Sequence, residues 1–168
     1  MKNLLQEYVP RVYRFALRLT RDPHAAEDLT QETFLRAWKQ QRLLRRPEAI
    51  HVWLFRITAN LWRDQLRRGK LRVAQAGSLP KDFASDVRTA EQNVGDQDDI
   101  RRALEAMEAL PERQREVLYL CACEGLSAAE VSVVLAISMD AVKANLCLAR
   151  KRLRRELKDI YEDRFPVV

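Results

Sequence analysis

Two groups of side chains in this sequence have the types and spacing needed to grip nucleic acid. In WLFRITANLWRDQLRRGKLR, Arg56, Asn60, Arg63 and Arg67 recur at i, i+4, i+7 and i+11, so a helix aligns them on one face. Arginine neutralises phosphate, and asparagine hydrogen-bonds base edges. His51, Trp53, Phe55 and Trp62 are close by in sequence, and aromatic rings stack on unpaired bases. The mixture suits single-stranded or opened DNA better than an intact duplex, although Trp53 and Phe55, taken singly, read more readily as core. The second group is in SMDAVKANLCLARKRLRREL, where Lys143, Cys147, Arg150, Lys151 and Arg154 face one way and Val142, Leu146, Ala149 and Leu153 another. The apolar stripe would dock on its own domain. The cationic face is shaped for a DNA major groove, with the later arginines reaching phosphates.

Several helical elements must position these groups. Asp22-Pro23 is a helix start, a capping carboxylate followed by a residue that needs no amide partner. Beyond it, Ala26, Leu29, Thr33 and Ala37 form a buried stripe, while Asp28, Gln31, Glu32 and Leu35 share another face. Such a polar strip is usually only solvated, but a leucine set among acids also suits protein docking. Trp53, Leu54, Ile57 and Leu61 are the core stripe of the arginine-rich helix. Further on, Ile100, Ala103, Leu104, Met107 and Leu110 mark an amphipathic helix, and Pro111 opens another that Gly125 stops. SAAE at Ser127–Glu130 is a capping box, and Leu135-Ala136-Ile137-Ser138 is a tight turn with Ser138 capping the last helix. A short helix, a turn and a second helix make a helix-turn-helix.

Low glycine and proline counts, 4 and 6 in 168 residues, leave too few turns for a β-rich fold, so the chain reads as all-α. The segment between the two basic groups is poor in large apolar residues and contains Asp82, Asp86, Glu91, Asp96, Asp98 and Asp99. It reads as a flexible acidic linker over 71–99, joining two small helical domains at 1–70 and 100–168. A net charge of +6 and a pI near 9.5 point to a polyanionic partner. No apolar run approaches the roughly 20 residues that span a bilayer, and the N-terminus does not read as a secretion signal, so a cytoplasmic location is expected. Cys121, Cys123 and Cys147 are odd in number, which fits a reducing compartment. His24 and His51 are both remote from them, so the cysteines read as packed or half-exposed thiols and no metal or other cofactor is expected. Paired carboxylates with a histidine and a phosphate-cradling glycine loop are both missing, which argues against an enzyme and against a small-molecule substrate.

Both halves resemble the extracytoplasmic-function sigma factors, the small subunits that give bacterial RNA polymerase its promoter choice. DPHAAEDLTQETFLRAW and WLFRITANLWRDQLRR are similar to region 2, and LPERQREVLYLCACEGLSAAEVSVVLAISMDAVKANLCLARKRL to region 4. The resemblance implies partners: core RNA polymerase through its β′ and β subunits, promoter DNA, and by family analogy an anti-sigma factor, often membrane-bound. It also implies roles. Asp28, Gln31, Glu32, Phe34 and Leu35 would bind core polymerase; Trp53, Arg56, Asn60, Arg63 and Arg67 would hold the melted −10 element. Lys143, Ala144, Cys147, Arg150, Lys151 and Arg154 would meet the −35 element. The start of the last helix departs from the family's Gly-Thr-Val-Lys-Ser-Arg, reading Asp140-Ala141-Val142-Lys143-Ala144-Asn145. Lost hydroxyls and a lost arginine imply weaker or differently specific −35 binding. The competing reading is a helix-turn-helix repressor or activator that binds duplex without polymerase.

Overall fold

The structure, a computed structural model, describes residues 2–44, 47–69 and 94–158. Seven α-helices make up the described chain, with no strand among the described residues. The first block holds α1 (Lys2–Thr20), α2 (Pro23–Lys39) and α3 (Ile50–Arg67), with two short 3-10 turns, Gln41–Leu43 and Pro47–Ala49, between the last two. The second holds α4 (Val94–Glu108), α5 (Glu112–Ala122), α6 (Ala128–Leu135) and α7 (Met139–Glu156).

The local signals form as the sequence predicts. Asp22 caps α2, accepting from the Ala25 amide at 2.7 Å. At α6 the Ser127 Oγ accepts from the Glu130 amide at 3.3 Å while the Glu130 carboxylate accepts from the Ser127 amide at 2.8 Å. Hydrogen bonds from that amide and from the Ser127 hydroxyl hold the Glu130 carboxyl below its ordinary value. Gly125 has φ +70°, the left-handed region that favours glycine, and lets the Leu126 amide return to the Leu120 carbonyl at 3.0 Å. The turn after α6 places Ala136 at φ +52°, and Ser138 caps α7 through the Ala141 amide at 3.1 Å. Between α6 and α7 the chain bends by 106°, within the range of a helix-turn-helix.

One helix start differs from expectation. α4 begins at Val94, so 94–99 are helical instead of belonging to the linker. Asp98 pairs with Arg101 at 2.6 Å and Arg101 with Glu105 at 2.8 Å, one helical turn apart in each direction, and acids near a helix start favour its dipole. The rest of the expected acidic linker, 71–93, lies outside the described residues. Of the apolar side read for this helix, Leu110 is buried and Ile100 is exposed.

The larger difference is in packing. The sequence predicts two separate modules, but one apolar core runs through both blocks. Phe15, Leu29, Leu54 and Phe55 of the first are continuous with Val117, Tyr119, Leu120, Val131 and Val134 of the second. Phe15 stacks on Tyr119 across the junction, ring centroids 6.0 Å apart, and meets Phe55 edge-on at 5.4 Å. Within the first block Thr33 of α2 and Thr58 of α3 bring their hydroxyls to 3.2 Å, and the same two oxygens lie within hydrogen-bonding distance of the carbonyls one turn back, Leu29 and Leu54. That satisfies two polar groups at the centre of the α2–α3 contact.

Candidate nucleic-acid interface

The arginine-rich face predicted from the sequence exists on α3, but its members differ in environment. Arg56 is exposed. Arg67 is exposed too and pairs with Asp64 one turn back, which holds that carboxyl below its ordinary value. Asn60 and Arg63 are half-buried and joined: an Arg63 Nη2 proton reaches the Asn60 Oδ1 at 2.9 Å, and Nε donates to the Ala59 carbonyl at 3.1 Å. Arg63 also reaches the Val134 carbonyl of α6 at 3.3 Å. Burial, with Arg113 nearby, lowers the Arg63 pKa. Half of the face is therefore turned toward the helix-turn-helix.

Phe55 and Trp62 are fully buried and are core residues, unable to stack on a base in this arrangement. Large rings on the inward side of α3 contribute too much apolar area to be left in solvent. Trp53 is half-buried at the edge of the same core, and His51 lies 3.8 Å from Glu130. Of the four aromatic candidates, only Trp53 and His51 retain exposed surface.

The face of α7 is open along its length. Lys143, Ala144, Cys147, Arg150, Lys151 and Arg154 are all exposed, and Val142 and Ala149 are buried behind them. Leu148 is exposed with them, at 49%. The opening departure at Asn145 has a local role, since its amide nitrogen donates to the Ala141 carbonyl at 2.8 Å and its side chain lies half-buried on the flank. Cys121 is half-buried, while Cys123 and Cys147 are exposed. Burial raises the half-buried Cys121 thiol, so less of it is thiolate at neutral pH than in a free thiol. Among the described residues no group of three or more metal-ligating side chains converges.

On α2, Asp28, Gln31, Glu32 and Leu35 are exposed and Phe34 is half-buried. Leu35 is 56% exposed, and Trp38, which the sequence reading missed, is 50% exposed. Trp38 sits three residues after Leu35 and seven after Gln31, the spacing of a single helix face, and that was the signal available.

The blocks are held together by ion pairs that no periodicity announces. Arg11 of α1 meets the Glu124 carboxylate at 2.7 Å, and Tyr119 donates its hydroxyl to the same carboxylate at 2.7 Å. Desolvation and the adjacent Glu124 charge push the Tyr119 hydroxyl far above its ordinary pKa. Arg18 reaches Glu108 at 2.6 Å and lies over the Tyr119 ring at 4.7 Å, and Arg21 donates to the Glu108 carbonyl at 3.2 Å. No single helix among the described residues is long and apolar enough to cross a membrane.

Comparison with known proteins agrees with this two-block layout. Residues 4–72 match Sigma-70 region 2, and residues 100–153 match Sigma-70, region 4. The chain is 41% identical over 150 residues to the probable RNA polymerase sigma factor RfaY of Xanthomonas campestris pv. campestris, covering 87% of this chain but 37% of that one. It is 35% identical over 153 residues to the ECF RNA polymerase sigma factor SigM of Bacillus subtilis, covering 90% of this chain and 91% of that one. Its fold matches that of RpoE from Bartonella quintana, solved with the anti-sigma factor NepR, at TM-score 0.69 and 23% identity over 94% of this chain and 98% of that one. With both sigma regions present in order, and a relative matched over nearly its whole length, the chain belongs to the extracytoplasmic-function family of RNA polymerase sigma factors.

Proposed function

We propose that this chain is an alternative sigma subunit that binds core RNA polymerase, engages two promoter elements and holds separated strands while the polymerase carries out all chemistry. The observation that supports this best is the presence of two differently built DNA faces on two blocks. One, on α3, combines Arg56, Asn60, Arg63 and Arg67 with the rim aromatic Trp53, a set for an opened strand. The other, on α7, is an exposed face of the second helix of the helix-turn-helix, suited to a duplex groove. Membership of the sigma family and the relatives' names support the same reading.

In this mechanism the exposed strip of α2, with Asp28, Gln31, Glu32, Phe34 and Leu35 and with Trp38 added, docks on the β′ subunit. The second block contacts the β subunit and the −35 duplex. Arg63 is held by the Val134 carbonyl of α6 and Asn60 is half-buried beside it, so full engagement of a strand by this face of α3 calls for α6 to move away. An anti-sigma factor that grips both blocks would keep them closed, as expected of a family whose relative RpoE was solved in complex with one. The protein would work in the bacterial cytoplasm, where its polymerase is.

Run-off transcription with purified core polymerase tests the reading. Start-site-specific transcripts only when this chain is added are expected. Full-affinity duplex binding without polymerase, with no transcript gained, would instead favour the repressor.

A further inference from the structure

The reading face of α7 is unusual in what its first three turns offer a base pair. From Met139 to Ala149 the only cation is Lys143, and no arginine or glutamine is present. The one amide, Asn145, is half-buried on the flank with its nitrogen committed to the Ala141 carbonyl, so it cannot make the two-point contact by which asparagine reads adenine. At 100° per residue Asp140, Ala144, Cys147, Leu148 and Lys151 all lie on the side opposite the buried Val142 and Ala149. The outermost ridge is therefore apolar for one full turn: Ala144, Cys147 and Leu148 are all exposed. Leu148 leaves about half of its side chain outside the fold, at 49% exposure. Neighbours of this patch identify its occupant. Lys143 lies on one side, and Arg150, Lys151 and Arg154 continue the face toward the C-terminus, a cationic frame complementary to DNA phosphates. Asp140, one turn earlier on the same ridge, disfavours phosphate there, which turns the start of the ridge toward base edges.

We propose that Ala144, Cys147 and Leu148 read the −35 duplex by apolar contact with the C5 methyl groups of thymine, so that the element this chain prefers contains adjacent T·A pairs. In the major groove the thymine methyl is the one apolar group a base pair presents to a side chain. Ala144 to Leu148 spans about 6 Å along the helix, more than one base-pair step of ~3.4 Å, so the ridge is long enough to meet two neighbouring methyls. Specificity then comes from buried methyl surface, and Lys143 adds a single contact suited to a guanine edge.

This proposal rests on the sigma reading, and the test separates the two. Holoenzyme made from core polymerase and the full chain selects active promoters from a library randomised over the −35 element. The selected sequence is then remade with deoxyuridine in place of each thymidine, which removes only the methyl. Enrichment of adjacent thymines is expected, with open-complex affinity falling about threefold per methyl removed and on the order of tenfold for two. Leu148→Asn together with Ala144→Gly, both exposed changes on the DNA face, should erase that sensitivity, leaving the variant equal affinity for the uracil and thymine templates, while binding of the chain to core polymerase alone stays unchanged in a pull-down titration. Failure to enrich thymines, or equal affinity for the uracil and thymine templates, overturns the proposal while start-site-specific transcription upholds the sigma reading. Absence of any start-site-specific transcript removes both.

Discussion

The closed arrangement of the two blocks makes a quantitative prediction at Arg11. Its guanidinium meets a Glu124 carboxylate that is only 3% exposed, while Arg11 itself is 32% exposed and lies over the Tyr8 and Phe55 rings at 5.4 and 5.9 Å. Arg11→Met keeps the apolar stem over those rings but removes the guanidinium that meets the Glu124 carboxylate at 2.7 Å. Removing one partner of a fully buried pair costs roughly 3–5 kcal/mol. Screening at the exposed arginine reduces that to about 2 kcal/mol, a shift of about 30-fold toward the separated blocks. If Asn60 and Arg63 reach a strand only when the blocks part, apparent affinity for single-stranded promoter DNA rises by up to the same factor, because affinity scales with the competent fraction. Fluorescence anisotropy with a labelled non-template oligonucleotide from a mapped promoter measures the affinity, and small-angle scattering of the free chain measures the opening. A larger radius of gyration with unchanged oligonucleotide affinity would refute the claim that α6 covers the strand-binding face. No change in either would refute the clamp.

Other expectations follow from single residues. Burial pushes the Glu116 carboxyl up to about 7 despite Arg113 at 2.9 Å and the influence of Arg63 from α3, against about 4.5 when unfolded. The stability this group contributes is complete below pH 4.5 and lost as pH rises through 7, so Glu116→Gln should match the parent at pH 4 and exceed it by about 3 kcal/mol at pH 8.5, measured by urea unfolding. Ala136→Gly should stabilise the chain by about 1 kcal/mol in thermal melts, because Ala136 sits at φ +52°, where a Cβ is strained. Replacing Leu35 and Trp38 together by serine should weaken core-polymerase binding at least tenfold in a pull-down titration, while the melting temperature stays within a degree or two, since both side chains are already exposed. Cys147, exposed on α7, should lose its maleimide reactivity when holoenzyme occupies a promoter, while exposed Cys123, at the C-terminal end of α5, keeps its own.

How much of this was legible in the chain depends on the range of the interaction. The caps at Asp22, Ser127 and Ser138, the left-handed Gly125, the helix-turn-helix and the exposed basic face of α7 are set by residues within a turn or two of one another, so their patterns appear directly in the order of residues. The α3 face was legible in outline through its i, i+4, i+7, i+11 spacing. Periodicity says which residues share a face but not what lies opposite, and so it could not tell that Phe55 and Trp62 are interior or that Asn60 and Arg63 are half-covered by α6.

By itself, the sequence determined six of the seven helices, two basic helix faces and the family to which the chain belongs. Only the tertiary structure decided that the two blocks share one core and that Arg11, Arg18 and Arg21 lock onto Glu124 and Glu108 across roughly ninety to a hundred and ten residues of chain. Contacts of that range leave no period in the sequence, because they depend on which apolar surfaces remain uncovered after each block has folded, and here the uncovered surfaces of α1 and α3 were best buried against α5 and α6.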